Sequence, residues 1–225
     1  MTGRHDRIYP RDFWQQENLR YAGPHHRLEK CARLVNRLAA GRRCDLLDVG
    51  CGPAALRALL DPGIRYHGID IAVQEPGPDL VEMDFLQAPI GFRGQTFQLA
   101  VAQGVFEYVG GAQCEKLAEI RDVLVPGGAF VASYVNFGHR RPHLYEPYNN
   151  IRPVADFAAD LAEHFVIRRT LPTALNWRHQ EPNRRWLRAV NLRLDRDLPV
   201  IGPRLAVEYL FVCRPRPRGA PGAGR

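Results

Sequence analysis

Residues 46–54 read LLDVGCGPA, an apolar run that ends in two glycines one residue apart. The acidic residue Asp48 stands just before the first glycine, Gly50, and Pro53 follows the second, Gly52. Glycine accepts backbone conformations and close approaches that a side chain forbids. The stretch therefore predicts a buried strand followed by a turn at which the backbone comes close to a ligand.

Strand-like and helix-like segments alternate outward from this turn, and no internal repeat interrupts them. Continuous apolar strands that alternate with amphipathic helices are typical of a parallel sheet covered on both faces. The predicted strands are 45–50, 66–71, 79–84, 97–104, 129–135, 166–171 and 205–215. The predicted helices are 24–41, 54–60, 113–124, 154–165 and 183–196. The interval 72–78 is too short for a full crossover helix and predicts a turn.

Composition limits the class of protein. Hydrophobic residues make up 45% and charged residues 24%, as in ordinary globular proteins. No apolar run approaches the roughly 20 residues needed to cross a bilayer, and the N-terminus does not resemble a signal peptide, so we expect a cytoplasmic protein without a membrane partner. The five scattered cysteines contain no Cys-x-x-Cys pair, which indicates neither a disulfide framework nor a metal site.

The formal net charge of +7 is concentrated at one end of the chain. Four arginines within residues 214–225 supply more than half of it, and the Pro/Gly/Ala-rich residues 216–225 are predicted to be a disordered tail. The remaining basic excess is weak, so nucleic acid is an improbable partner on charge alone.

Two ligand classes use a glycine turn after a first strand. Residues 50–55 satisfy the dinucleotide pattern Gly-x-Gly-x-x-Ala, and Asp70 stands where a ribose-binding acid is expected. Asp48 would, however, meet a pyrophosphate with an unfavourable negative charge, whereas it would attract a cationic ammonium group. Asp84, the last residue of the third predicted strand, is suited to accept a hydrogen bond from an adenine amino group. These acids favour a cationic nucleoside over a dinucleotide.

The motifs "LLDVGCGPA", "YHGIDIA", "VEMDF", "LAVAQGVFEYV" and "LVPGGAFVASYVN" follow one another over residues 46–136. In this order and spacing the chain resembles the class I, Rossmann-like, S-adenosylmethionine-dependent methyltransferases that act on small molecules. The resemblance implies an α/β fold with an open, seven-stranded, mostly parallel sheet, its last strand antiparallel and its helices on both faces.

S-adenosylmethionine is the cofactor that this resemblance implies, and each motif supplies part of its site. The glycine turn would pass the methionyl part, and Asp70 would accept the ribose hydroxyls, because the two oxygens of a carboxylate span a diol. Asp84 and Phe85 would address the adenine, and Gln103 and Gly104 would lie near the sulfonium. The cofactor-binding residues so predicted are Asp48, Gly50, Cys51, Gly52, Asp70, Ile71, Asp84, Phe85, Gln103 and Gly104. Cys51 is interpreted as a packing residue, not a nucleophile.

The acceptor side depends on the loop 136–150, which follows the fifth strand. His139 and His143 are the preferred general bases, because imidazole titrates near neutrality, and Tyr145 is a further candidate beside Glu146 and Tyr148. Arginines of the 183–196 helix could bind an anionic group of the acceptor. The predicted substrate-binding residues are Trp14, Tyr21, Phe106, Tyr108, Asn136, Arg184 and Arg185.

These interpretations divide the chain into three parts. Residues 1–41 are predicted to form a helical lid, 42–215 the cofactor-binding domain and 216–225 the tail, with the insertion 172–203 contributing to the acceptor site. The predicted reaction is methyl transfer to a hydroxyl of a small molecule, such as a sugar, a glycosylated natural product or a polyketide. A cofactor-binding protein without catalysis and an RNA-modifying methyltransferase stay open as alternatives. The sequence leaves open whether the protein is a monomer or a homodimer.

Overall fold

A computed structural model describes residues 9–20, 22–23, 25–90, 92, 94–137, 148, 150–173, 189–190, 192–198, 200 and 206–217. Four α-helices are described over their whole length: α1 (Arg11–Arg20), α2 (His26–Ala39), α3 (Gln113–Asp122) and α4 (Val154–His164). Residues 189–190 and 192–193, within the predicted helix 183–196, are also helical. The described residues also contain seven strands: β1 (Cys44–Val49), β2 (Ile64–Asp70), β3 (Leu80–Glu82), β4 (Phe97–Ala102), β5 (Leu124–Val135), β6 (Phe165–Pro172) and β7 (Glu208–Pro215).

The seven strands form one sheet in the order β3-β2-β1-β4-β5-β7-β6. The strands from β3 to β5 are mutually parallel, and β7 runs antiparallel between β5 and β6. All six residues of β1 are buried, as expected for the central strand of a sheet covered on both faces. The predicted seven-stranded, mostly parallel sheet with an antiparallel last strand is confirmed.

Successive residues of the central strands contribute side chains to two hydrophobic cores, one on each face of the sheet. Leu47 and Val49 of β1 point to the core that α3 and α4 cover, through side chains such as Ile120 and Phe157. Leu46 points to the opposite core, which is built with apolar residues of α2, namely Leu28, Cys31, Ala32, Leu34 and Val35. Helix α2 is therefore a layer of the main fold, whereas α1, which also belongs to the predicted N-terminal lid, contributes none of its described residues to these cores.

The predicted helix after the glycine turn differs from the structure. Residues Ala55–Leu59 form a short 3-10 helix, not an α-helix, and only Leu56 among them is buried. The turn Asp61-Pro62-Gly63 follows within two residues, so the chain has no room for further helical turns before β2. The interval between β2 and β3 contains no helix, as predicted from its length.

A buried lysine ties α2 to distant parts of the chain. The Nζ of Lys30 donates hydrogen bonds to the carbonyl oxygens of Pro172 and Leu194, both at 2.7 Å. Burial lowers the pKa of this ammonium group to about 8. Because both carbonyls belong to the predicted 172–203 insertion, α2 holds two points of that segment.

Candidate active site

The described residues surround a cavity of about 220 Å3 at the carboxyl ends of β1, β2 and β4. Ligands of open parallel sheets bind at this edge, outside the strand ends. Helix α1 and the first turn of α2, both from the N-terminal part of the chain, also border the cavity. The residues that border it and enter the argument below are Trp14, Asn18, Arg27, Asp48, Gly50, Cys51, Gly52, Asp70, Ile71, Met83, Asp84, Phe85, Gln103, Gly104, Glu107, Tyr108 and Tyr148.

The glycine turn has the backbone geometry that its sequence predicts. Gly50 has φ +69°, and a Cβ built on it would lie 2.5 Å from the Val105 Cγ2 atom, far inside van der Waals contact. Gly52 has φ +52°, and its Cβ would lie 3.2 Å from Asn18 Oδ1. Side chains at these two positions would meet both strain and crowding, so glycine keeps the turn close to the cavity.

Asp70 is fixed at the end of β2 by backbone donors. The Gly52 N–H donates to Oδ2 at 2.9 Å, and the Ala72 N–H donates to Oδ1 at 2.8 Å. The side-chain amide of Asn18, on α1, also donates to Oδ1, at 3.3 Å. A carboxylate offers about four acceptor positions, so Asp70 can still accept a hydrogen bond from a hydroxyl group while it holds the glycine turn in place.

Asp48 is a buried acid at the floor of the same cavity. Its Oδ2 accepts a hydrogen bond of 2.7 Å from the hydroxyl of Tyr66. Burial raises the pKa of Asp48 to about 7, although the Tyr66 hydroxyl acts in the opposite direction. A cationic group bound here would favour the charged form of the carboxyl, since opposite charges attract strongly when both are buried.

The segment after β4 contributes two polar side chains to the cavity. Both amide atoms of Gln103 are buried and lack a hydrogen-bond partner among the described residues. Gly104 is held by its N–H, which donates to Ser133 Oγ at 2.8 Å. Glu107 is fully buried and borders the cavity, and its Oε1 accepts from the Val135 N–H at 2.9 Å.

The opposite wall is aromatic. Trp14 of α1 packs edge-to-face on Tyr108, with ring centroids 4.8 Å apart, and Tyr108 contacts Tyr148 at 5.3 Å. Arg27 borders the cavity nearby and forms a double contact with the buried Glu208 of β7, at 2.7 and 2.6 Å. This side of the cavity therefore combines an apolar wall with an arginine whose charge is balanced by Glu208.

A family model described as "Methyltransferase domain" matches residues 24–194, about three quarters of the chain. The chain belongs to this family. It is an S-adenosylmethionine-dependent methyltransferase, as the motif order predicted. A comparison with curated proteins found no match.

Solved structures of other methyltransferases share the fold. The N-methyltransferase NodS from Bradyrhizobium japonicum WM9, in complex with S-adenosyl-L-homocysteine, is 15% identical, with a TM-score of 0.56 over 90% of this chain and 98% of that one. The CcbJ methyltransferase from Streptomyces caelestis is 17% identical, with a TM-score of 0.58 over 86% of this chain and 91% of that one. The plantazolicin methyltransferase BpumL, in complex with a triazolic desmethylPZN analog and S-adenosyl-L-homocysteine, is 14% identical, with a TM-score of 0.59 over 91% of each chain.

The cavity of this methyltransferase fits the cofactor S-adenosylmethionine. Gln103 offers a buried donor and acceptor without protein partners, Asp70 retains acceptor capacity for the ribose, and Asp48 can face the methionyl ammonium. Asp84, which is predicted to contact the adenine, borders the cavity, and its Oδ1 accepts from the Leu86 N–H at 2.9 Å. All ten predicted cofactor-binding residues border the cavity, and their individual contacts with the cofactor stay predictions.

Only some of the predicted substrate-binding residues that the structure describes border the cavity. Trp14 and Tyr108 border the cavity, but Phe106 does not: it is fully buried and packs on Phe157 of α4, with centroids 5.4 Å apart. Asn136 is also buried away from the cavity, and its amide donates to the Ala206 carbonyl at 3.0 Å. Neither residue borders the described cavity, because apolar packing occupies the Phe106 side chain and a backbone contact occupies the Asn136 amide. Their roles in binding the acceptor stay predictions.

Six predicted site residues lie outside the described residues: Tyr21, His139, His143, Tyr145, Arg184 and Arg185. Their proposed roles stay predictions. The sequence interpretation also missed Asn18, Arg27 and Glu107. An acid inside the apolar run VFEYV was the one visible signal for Glu107, whereas nothing local distinguishes Asn18 or Arg27 from surface residues of a helix.

Within the described part of the chain, no group of three or more His, Cys, Asp or Glu side chains is placed to hold a metal ion. The helices described there are all too short or too polar to span a membrane.

Proposed function

We propose that this methyltransferase transfers a methyl group to a small-molecule acceptor that binds against the aromatic wall of the cavity. The observation that carries the proposal is the position of α1, which borders the cavity with Trp14 and Asn18. Asn18 reaches the Asp70 carboxylate and the Ala72 carbonyl, and Arg11 forms a double hydrogen bond with Glu82 at 2.8 and 2.9 Å. A helix bound across the cavity favours a compact acceptor over a polymer.

The structural neighbours support the same class. Two of them are an N-methyltransferase and a methyltransferase seen with a triazolic desmethylPZN analog. We keep a hydroxyl as the proposed acceptor group, on the sequence prediction that His139 and His143 serve as general bases. A sugar, a glycosylated natural product or a polyketide would present such a hydroxyl. The predicted lid is kept in this proposal for α1 alone, because α2 is a layer of the fold. The predicted role of 172–203 as an acceptor-site insertion and a cytoplasmic location also belong to this proposal.

Label partition tests the class of acceptor. The protein is incubated with S-adenosylmethionine carrying a labelled methyl group and with three fractions of a bacterial extract: small molecules below about 1 kDa, RNA, and protein. We expect label only in the small-molecule fraction, where mass spectrometry then identifies the methylated compound. The variant Asp70→Ala, which loses the ribose acceptor, should transfer no label to any fraction.

Each alternative has its own result. Label in RNA, with affinity that falls steeply as salt rises, would replace the proposal by RNA modification. Binding of S-adenosylmethionine without label in any fraction would indicate a cofactor-binding protein that does no chemistry.

A further inference from the structure

Glu107 has an unusual position for an acid. It follows β4 by five residues, is fully buried and borders the cavity. Its Oε1 accepts from the Val135 N–H, at the end of the neighbouring strand β5. Its Oε2 is buried and has no hydrogen-bond partner among the described residues. Buried polar atoms in native proteins nearly always have a partner, so this oxygen calls for an explanation.

The groups around Glu107 do not neutralise it. Arg27 approaches from α2, but its guanidinium is already paired with the Glu208 carboxylate on β7. Glu208 itself faces Glu107, and its negative charge adds to the effect of burial, so that the pKa of Glu107 is raised to about 7. Tyr134 of β5 is the other titratable neighbour, and burial holds its pKa well above the ordinary value. The unpaired oxygen thus belongs to a carboxyl that exchanges its proton near neutral pH.

The neighbours of Glu107 along the chain lie at the acceptor side of the cavity. Tyr108, the next residue, contacts both Trp14 and Tyr148, which form the aromatic wall. Gln103, four residues earlier, is predicted to lie near the sulfonium of the cofactor. Along this segment Glu107 therefore stands between Gln103, which is predicted to lie near the sulfonium, and Tyr108 of the aromatic wall, and all three border the cavity.

We propose that Glu107 is a catalytic residue that accepts, through Oε2, the proton of the N–H or O–H group that becomes methylated. This inference rests on the proposed function, but it assigns to Glu107 the general-base role that the sequence predicted for His139 and His143. An amine and a hydroxyl share the chemistry that Oε2 requires, since each donates a hydrogen bond in the bound state and loses one proton during transfer.

The proton and electron balance is simple. Bound S-adenosylmethionine supplies an electrophilic methyl group, whose bond to sulfur breaks with the electron pair left on sulfur. A lone pair of the acceptor nitrogen or oxygen forms the new bond to carbon. The proton of that nitrogen or oxygen passes to Oε2 of ionised Glu107, and the neutral carboxyl later releases it to water. No oxidant or reductant is needed.

The test compares Glu107→Gln with the wild type in transfer of labelled methyl to the small-molecule fraction, at saturating S-adenosylmethionine, from pH 5.5 to 9. Glutamine keeps the volume and can still accept from the Val135 N–H, but it cannot take a proton. We expect wild-type transfer to rise with pH through about 7 and then level off, because only the ionised carboxylate is a base. Glu107→Gln should lower transfer roughly 100- to 1,000-fold and lose that rise.

Two readouts separate a catalytic role from a structural one. The affinity for S-adenosylmethionine, measured by calorimetry, should change less than threefold in Glu107→Gln, and its melting temperature should not fall. Glu107→Asp, which retains a base at a greater distance, should keep the pH-dependent rise at a reduced rate. Glu115→Gln, which changes an exposed acid of α3, is the control and should behave as the wild type. Asp48 titrates in every one of these proteins, so a rise due to Asp48 alone would persist in Glu107→Gln.

The remaining outcomes contradict the inference. Transfer by Glu107→Gln within threefold of the wild type at all pH values would overturn it, as would loss of the pH-dependent rise in His139→Gln or His143→Gln but not in Glu107→Gln. If Glu107→Gln fails to fold, Glu107→Asp provides the test instead. A rate of methyl transfer by Glu107→Asp equal to that of the wild type would then overturn the inference. A wild type that transfers no label to small molecules would overturn the proposed function, and the inference with it.

Discussion

The two sides of the cavity are built from different material. The cofactor side consists of strand ends and tight turns, with Asp70 held by the backbone N–H groups of Gly52 and Ala72. The proposed acceptor side consists of side chains carried by α1 and by the segment after β4, which meet through ring contacts between Trp14, Tyr108 and Tyr148. We infer from this contrast that backbone geometry holds the cofactor, whereas the side chains of the aromatic wall select the acceptor.

The largest effect should come from removing the anchor of the cofactor side. Asp70→Ala loses a charged acceptor for the ribose and leaves two backbone N–H groups without their partner, and each hydrogen bond to a charged group contributes about 1.5–3 kcal/mol. We expect the dissociation constant for S-adenosyl-L-homocysteine to rise at least about 100-fold by calorimetry. Asp61→Ala, which removes an exposed acid from the turn before β2, should leave it unchanged. A similar constant in both variants would mean that the backbone alone holds the nucleoside.

A second, intermediate effect concerns the two buried acids, one on each side. Burial raises the pKa of both Asp48 and Glu107 to about 7, so the folded protein retains protons that the unfolded chain loses at lower pH. The free energy of unfolding should therefore fall between about pH 5 and 8, by at most about 3 kcal/mol for each group. Urea unfolding at a series of pH values, without added cofactor, measures this fall.

The double variant Asp48→Asn with Glu107→Gln supplies the control for that series. It carries neither acid, so its stability should change less over the same pH range than that of the wild type. Parallel pH dependences in the two proteins would show that other groups account for the change.

The smallest effect should separate the two sides. Trp14→Ala removes one ring of the aromatic wall, and we expect the amount of small-molecule fraction needed for half-maximal methyl transfer to rise several-fold. The dissociation constant for S-adenosyl-L-homocysteine should stay within about twofold, since the strand ends are unchanged. Trp14→Phe keeps an aromatic ring, so the amount of small-molecule fraction that it needs for half-maximal transfer should lie between those of the wild type and Trp14→Ala. An equal loss in cofactor binding would make α1 part of the cofactor side.

The same contrast explains how far the sequence could predict the molecule. Strands and glycine turns leave local patterns, so β1, its turn and the acids at positions 70 and 84 could be placed from the sequence. Phe106 and Glu107 show the limit. The aromatic residue was expected at the cavity and the acid was overlooked, but α4, about 50 residues later, offers Phe106 an apolar partner and leaves Glu107 at the cavity. Such a choice depends on long-range packing, which neither residue type nor spacing reveals.

The structure also assigns roles that no local pattern could contain. In the sequence, nothing distinguishes Arg27 from an exposed residue of α2. In the structure it pairs with Glu208, which lies 181 residues further along the chain. The 3-10 helix after the glycine turn follows from the short path to β2, not from the helix propensity of its alanines and leucines.

Through its contact with Asn18, the Asp70 carboxylate holds α1 in addition to its predicted role in ribose binding. The Asn18 amide shares Oδ1 of Asp70 with the Ala72 N–H, so the first helix rests on the same group that the ribose is expected to use. Occupancy of Asp70 by the nucleoside and the attachment of that helix are therefore thermodynamically linked, and each must alter the other by an equal free energy.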